Sequence, residues 1–117
     1  MEVTSILRGD ICLFDFGIQT DHTMSKRRPV VIIQNNMANK LSSHTIIASV
    51  RSNPRVGQLP VGVKLDSAAT GLAHESYVDL GHIYTVDKCN LFKKIGVVSP
   101  AELQKIDAAI KVSLGLE

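Results

Sequence analysis

Residues 29–33, PVVII, form an unbroken β-branched run that opens with a proline. Such a run predicts a buried strand, because β-branched side chains favour extended backbone and proline is tolerated at the start of a strand. Two further runs, ICLFDF at 11–16 and TIIASV at 45–50, accompany it, and the first of them is apolar on both faces. Strands of this kind are typical of a small closed barrel, whose interior is filled by side chains.

Shorter segments complete the predicted strands. Residues 60–65, PVGVKL, alternate apolar and polar side chains, and strands are also predicted at 76–80, 83–87 and 95–98. The strands recur about every 10–15 residues, mostly with no helix between them, which favours an antiparallel barrel or sandwich over βαβ units.

The end of the sequence carries the signature of a helix. Ser99 and Glu102 form the pattern of a capping box, and Pro100 falls at the first helical position. Apolar residues then recur at helical spacing, at Leu103, Ile106, Ile110 and Leu114, and Gly115 follows as a terminator. The predicted fold class is therefore mainly β (α+β), a small antiparallel barrel with a C-terminal helix that packs on it.

Composition narrows the class of protein. The chain of 117 residues is 44% hydrophobic and 21% charged, as expected of one folded domain spanning 1–117. No apolar run reaches the roughly 18 residues of a membrane span, and the first residues lack the pattern of a secretory signal. Two cysteines without a CxxC motif predict neither a disulfide framework nor a zinc site. We therefore expect a cytoplasmic protein with no cofactor and no metal.

Charge is distributed unevenly along the chain. Residues 22–65 contain seven Lys or Arg and no Asp or Glu, whereas the remainder holds six Lys or Arg against eleven Asp or Glu. The cationic stretch predicts an anionic partner, either a nucleic acid or an acidic protein segment, although a solvated surface with segregated charges is the alternative. Two long polar loops are predicted in and around it, at 17–28 and 51–58, where binding and catalysis commonly occur.

Several segments together resemble a known family. They are RGDICLFDFG at 8–17, RRPVVIIQNN at 27–36, LP at 59–60, YTVDKCNL at 84–91 and IGVVSPAELQKIDAAIKVSLGL at 95–116. In order and spacing they resemble the MazF/PemK family of ribonuclease toxins. The resemblance implies an SH3-like barrel with a C-terminal helix, a homodimer, metal-independent cleavage of single-stranded RNA at short sequences, and inhibition by an acidic, partly disordered antitoxin.

The implied chemistry is attack of the RNA's own 2′-hydroxyl on the adjacent phosphorus. The products are a 2′,3′-cyclic phosphate and a 5′-hydroxyl. Arg28, directly before Pro29, matches the family's arginine and would stabilise charge on the phosphoryl oxygens, since a guanidinium can hold two oxygens and stays protonated. The competing interpretation of Arg28 is a surface arginine paired with an acid.

The chain departs from the family pattern in two segments. Where relatives carry Ser-Glu-Gln in the first loop, this chain has His22-Thr23-Met24, and where many have Glu-Gln-Ile-Arg, it has Gly-His-Ile-Tyr at 81–84. Histidine exchanges protons near neutral pH, so His22 and His82 are candidate acid and base. Two unrelated surface histidines are an equally weighted alternative.

Other residues are predicted to bind the RNA. Ser52 would supply the hydroxyl that a threonine gives in relatives, with Arg51 as a second phosphate ligand. Tyr84 would stack on a base, or else form part of the barrel wall. The remaining predicted RNA-binding cations are Lys26, Arg27 and Arg55.

Two functions of different class follow. The leading hypothesis is a metal-independent endoribonuclease toxin, and the alternative is a catalytically degenerate barrel that binds RNA or an antitoxin-like protein without cleaving. Binding of operator DNA, as a toxin–antitoxin complex only, is compatible with either.

Overall fold

The computed structural model describes residues 5–18, 25–66, 72 and 74–116. Within them the chain forms strands β1 (Asp10–Ile18), β2 (Ser25–Ile32), β3 (His44–Arg51), β4 (Gly62–Leu65), β5 (Ser76–Asp87) and β6 (Leu91–Val97), and helices α1 (Asn36–Leu41) and α2 (Pro100–Leu114). Two short 3₁₀ segments, Pro54–Gln58 and Lys88–Asn90, precede β4 and β6. No described helix has the length and apolar character needed to cross a bilayer.

The strands form one antiparallel sheet in the order β4-β5-β3-β2-β1-β6. This confirms the predicted mainly-β class with a C-terminal helix. The prediction of separate strands at 76–80 and 83–87 was wrong. They form the single strand β5, because Ser49 pairs with Asp79 and Ala48 with Ile83, which leaves residues 80–82 bulged within the ladder.

Both faces of β2 are buried, as its β-branched sequence predicts. Val31 enters the larger core cluster, which also takes Ile106 of α2, whereas Val30 and Ile32 enter a second cluster with Cys12 of β1. Successive side chains of a strand point to opposite faces, so one strand serves two cores. Each such side chain, fully buried, stabilises the fold by about 2 kcal/mol.

The predicted loop at 17–28 is shorter than expected, because the β1–β2 hairpin continues into it. Asp15 pairs with Arg27, and Ile18 with Ser25, so residues 26–28 lie in β2. Strand β6 likewise begins at Leu91, earlier than the predicted residue 95. Helix α1 was not predicted. Its N-cap is Asn35, whose side chain accepts a hydrogen bond from the Ala38 N–H.

Helix α2 has the predicted caps. The Ser99 hydroxyl accepts the Glu102 N–H at 3.1 Å, the Glu102 carboxylate accepts the Ser99 N–H at 2.7 Å, and Gly115 is left-handed with φ 71°. Ile106 is fully buried, but Leu114 is 60% exposed, so the predicted apolar stripe ends one turn early. The physical reason is that the core cluster takes α2 side chains only as far as Ile110.

The two cysteine thiols should differ sharply in reactivity. Burial, reinforced by the nearby Asp10 carboxylate, raises the pKa of Cys12 to about 11, whereas Cys89 is exposed. Only the thiolate is nucleophilic, so iodoacetamide at pH 8 should add one group to the native protein, at Cys89. Peptide mass mapping checks the position, and native Cys89→Ser should stay unlabelled. Equal labelling of both cysteines would show that the second core cluster is open.

Candidate functional site

Strands β2 and β3 separate at the point where two arginines emerge. Their ladder runs from Ile32 only as far as the Val30–Ser49 pair. Backbone N–H groups alternate between the two sides of a strand, and the Ile33 N–H donates to the Ile46 carbonyl, on the β3 side, at 2.9 Å. The absent N–H of Pro29 is on that same side, so the next pair lacks a donor, and the ladder ends before it.

Arg28 and Arg51 lie just beyond this separation, and both side chains are exposed. Each stands two residues past the last β2–β3 pair, on opposite sides of the gap. They line the same two hollows, which we call the aromatic hollow and the polar hollow. Among the described residues, no carboxylate forms an ion pair with Arg28. We call Arg28 and Arg51 the arginine pair.

The aromatic hollow has a volume of about 200 Å³. Besides the arginine pair it is lined by Phe16, Pro29, Ser49, Val50 and Tyr84. The Tyr84 ring is 42% exposed and meets Phe16 edge to face with 6.5 Å between centroids, and Phe16 in turn packs on Phe14 at 4.7 Å. This wall offers a flat apolar ring beside two positive charges.

The polar hollow has a volume of about 270 Å³. Besides the arginine pair it is lined by Pro29, Val50, Ser52, Leu72, His74 and Ser76. It therefore combines hydroxyl and imidazole groups with the guanidinium groups. The sequence analysis did not single out His74, because only the β3–β5 pairing, with Arg51 opposite Tyr77, carries this part of the chain to the arginine pair.

Asp79 connects Arg51 to a histidine. Its Oδ2 atom lies 3.2 Å from Arg51 Nε and 2.8 Å from His82 Nδ1, and its Oδ1 atom accepts the Gly81 N–H at 2.9 Å. The Asp79 side chain is only 7% exposed. The sequence analysis missed this residue, although a carboxylate among the apolar residues of a predicted strand is a signal that could have found it.

The structure brings five of the predicted site residues together. Arg28 and Arg51 line both hollows, Ser52 lines the polar hollow, Tyr84 lines the aromatic hollow, and His82 joins Arg51 through Asp79.

Two predicted RNA-binding cations lie elsewhere. Arg27 stacks on the Phe92 ring, 3.8 Å from its centroid, as expected from the alternation that points it away from Arg28. Arg55 is exposed in the 3₁₀ segment and lines neither hollow. His22 and the side chain of Lys26 lie outside the described residues. The roles assigned to these four residues, like those of the five brought together, stay predictions.

Comparisons with known proteins find relatives that match nearly the whole chain. Residues 7–114 match a family described as PemK-like, MazF-like toxin of type II toxin-antitoxin system. Endoribonuclease EndoA of Bacillus subtilis (strain 168) is 31% identical over 111 residues, which cover 95% of this chain and 96% of that protein.

Solved structures are similar as well. An endoribonuclease from Mycobacterial species in complex with its cognate antitoxin is 26% identical, with a TM-score of 0.81, over 97% of this chain and 98% of that one. Toxin MazF-mt6 of Mycobacterium tuberculosis, 24% identical with a TM-score of 0.76 over 92% of this chain and 98% of its own, shares the fold.

Proposed function

Because the chain belongs to the PemK-like, MazF-like toxins of type II toxin–antitoxin systems, we propose that this endoribonuclease cleaves single-stranded RNA by attack of the RNA's own 2′-hydroxyl, without a metal ion. One observation carries the proposal. Two exposed arginines stand between an aromatic hollow and a polar hollow. A single RNA strand is complementary to this arrangement. Its phosphate is negative, a base on one side can stack on an aromatic ring, and the ribose and phosphate on the other side can accept hydrogen bonds.

The RNA would lie across the arginine pair. The scissile phosphate rests on the guanidinium groups of Arg28 and Arg51, and one base stacks on Tyr84 in the aromatic hollow. Base stacking on an aromatic side chain contributes about 1–3 kcal/mol and tolerates any base. The adjoining phosphate and ribose reach Ser52 and His74 in the polar hollow.

The reaction needs one proton removed and one donated. The 2′-oxygen bonds to phosphorus as its proton leaves to a base, the bond from phosphorus to the 5′-oxygen breaks, and that oxygen takes a proton. His82 is the described candidate for proton transfer, and His22 is the candidate from the first loop. The arginine pair and the Ser52 hydroxyl stabilise the extra negative charge on the phosphoryl oxygens.

The remaining expectations about partners belong to the same proposal. The protein acts as a homodimer of single-domain chains in the cytoplasm. Its antitoxin is acidic and covers the arginine pair, with operator DNA bound only by the complex. An RNA-binding barrel without activity is the second candidate, favoured by His22-Thr23-Met24 in place of the family's Ser-Glu-Gln.

Removal of Arg28 should abolish cleavage without unfolding the protein. Its side chain is exposed beyond the core, and loss of one charge-stabilising donor commonly lowers the rate by about 10² to 10³. Arg28→Ala and a matched charge control, Lys105→Ala on α2, should be compared on a long RNA with EDTA present, with product ends mapped. We expect cyclic phosphate ends from the wild type and from Lys105→Ala only. Full activity in Arg28→Ala, or loss of wild-type activity with EDTA, contradicts the mechanism.

RNA and the antitoxin should compete for the arginine pair in a salt-dependent way. Each phosphate contact on a single strand adds about −0.7 to the slope of log K against log salt. Arg28→Ala should therefore make that slope shallower by about 0.7, measured by titration of a non-cleavable 2′-deoxy oligonucleotide. An acidic peptide from the cognate antitoxin should displace this probe from the wild type. A slope unchanged by the substitution would place the RNA elsewhere on the protein.

The protein should be dimeric in solution. Strands β4 and β6 end the order of the sheet, and β6 exposes 47% of Val97, so an uncovered edge carries apolar surface that favours association. Light scattering at micromolar concentration should give about twice the chain mass of 12.7 kDa. A mass of one chain rules the dimer out.

A further inference from the structure

Asp79 is a buried carboxylate at the bulge of β5, with each oxygen in use. Oδ1 accepts the Gly81 N–H at 2.9 Å, while Oδ2 meets Arg51 Nε at 3.2 Å and His82 Nδ1 at 2.8 Å. A charge taken out of water is costly unless it is paired and hydrogen-bonded, and these three contacts supply that compensation. The Asp79 Oδ2 atom thus contacts both Arg51, at the end of β3, and His82, in the bulge of β5.

The carboxylate has little freedom to move. A Cβ added at Gly81 would lie 3.1 Å from Asp79 Oδ1 and 3.5 Å from Val61 Cγ2, so the backbone of the bulge packs directly against it. The bulge also fixes its neighbours, since the Leu80 N–H donates to the Val61 carbonyl at 2.8 Å and the Leu80 side chain is fully buried. Asp79 is therefore a rigid acceptor.

This contact determines which donors of Arg51 remain for a ligand. The ion pair with Asp79 lies at the Nε edge of Arg51, so the two terminal NH₂ groups are left for the hollows that Arg51 lines. An ion pair at this edge restricts the orientations of the planar guanidinium, which lowers the entropy lost when a phosphate binds.

The same oxygen selects the tautomer of His82. A carboxylate only accepts hydrogen bonds, so Nδ1 of His82 carries the hydrogen that points at Asp79. In the neutral imidazole Nε2 is then a bare acceptor, and the side chain is 51% exposed. A bare, accessible Nε2 is the form that can remove a proton from a hydroxyl.

We infer that Asp79 is a positioning residue that holds the terminal nitrogens of Arg51 toward the RNA phosphate and keeps His82 in the Nδ1–H tautomer. This inference deepens the proposed function and rests on it for its catalytic consequence. Asp79 itself touches no substrate, so its effect must pass through Arg51 and His82.

Asp79→Asn is the sharpest test, because it keeps the shape and reverses one contact. The amide oxygen remains with the Gly81 N–H, so the NH₂ group faces His82 and Arg51 as a donor. It should donate to His82 Nδ1, convert the neutral ring to the Nε2–H tautomer, and displace Arg51 Nε. Long-range ¹H–¹⁵N correlation spectra of the imidazoles, with the His82 signals assigned through His82→Ala, report the tautomer whether or not any RNA is cleaved.

Kinetics then connect the tautomer to activity. We expect kcat to fall about 10-fold to 100-fold in Asp79→Asn, as for other residues that orient a catalytic group. The matched control is Asp87→Asn on the same strand. That carboxylate lines neither hollow and accepts the Cys89 N–H at the 3₁₀ segment, so the kcat of Asp87→Asn should equal that of the wild type.

A double-mutant cycle separates positioning from general stability. In the Arg51→Ala, His82→Ala background Asp79→Asn should change kcat by less than about 3-fold, since coupled groups are non-additive. The inference is overturned if Asp79→Asn lowers kcat as much in the Arg51→Ala, His82→Ala background as in the wild type. It is also overturned if the His82 tautomer is unchanged in Asp79→Asn. If Asp79→Asn does not fold, the wild type decides, because a neutral His82 ring found in the Nε2–H tautomer in the folded wild type overturns the inference.

Failure of the proposed function gives a different result. If the wild type cleaves no RNA, the enzyme hypothesis fails, and the inference is judged by the tautomer and by binding of the 2′-deoxy oligonucleotide. Asp79→Asn should then weaken binding only where Arg51 is present. If Asp79→Asn weakens oligonucleotide binding equally in the Arg51→Ala background, the inference is overturned.

Discussion

The missing N–H of Pro29 is the constraint on which the site depends. The β2–β3 ladder runs between the two core clusters and stops at the Val30–Ser49 pair. The next residue of β2 is Pro29, which has no N–H to donate to β3. Beyond that point the two strands continue without pairing to each other, and the surface opens into two hollows. The two arginines are carried by strands that also hold fully buried residues, Val30–Ile32 in β2 and Ile47 and Ala48 in β3, so they project from rigid backbone. A recognition surface on strands is positioned more accurately than one on loops.

An opening made this way places two like charges side by side. Arg28 and Arg51 occupy corresponding positions on the two strands, and adjacent cations repel each other in the absence of an anion. The bulge of β5 brings the Asp79 carboxylate to one of them, which relieves part of that repulsion and leaves Arg28 without a described carboxylate partner. The pair is thus asymmetric. One arginine is oriented by the protein, and the other is more open to the charge of a ligand.

Local patterns predicted the fold far better than the site. The β-branched run at 29–33 and the capping box at Ser99 are each encoded within a few neighbouring residues, so the core strands and α2 could be predicted from the sequence. Arg28, Arg51, Ser52 and Tyr84 were found through the family resemblance. Asp79 and His74 were not, because their roles arise from pairing between distant segments. Likewise the β5 bulge depends on the register between two strands, which no local pattern encodes.

A buried carboxylate beneath a phosphate-binding surface carries a cost as well as a benefit. Its negative charge opposes that of any phosphate on the arginine pair, which offsets part of the affinity gained by orienting Arg51. The same carboxylate holds the Arg51 donors where charge develops on the phosphoryl oxygens, and it keeps His82 in the tautomer whose Nε2 can accept the proton of the 2′-hydroxyl. An interaction that acts most strongly in the transition state raises kcat more than it raises ground-state affinity. Under the proposed function, Asp79 therefore fits a site that turns over its RNA better than it fits one that only retains it.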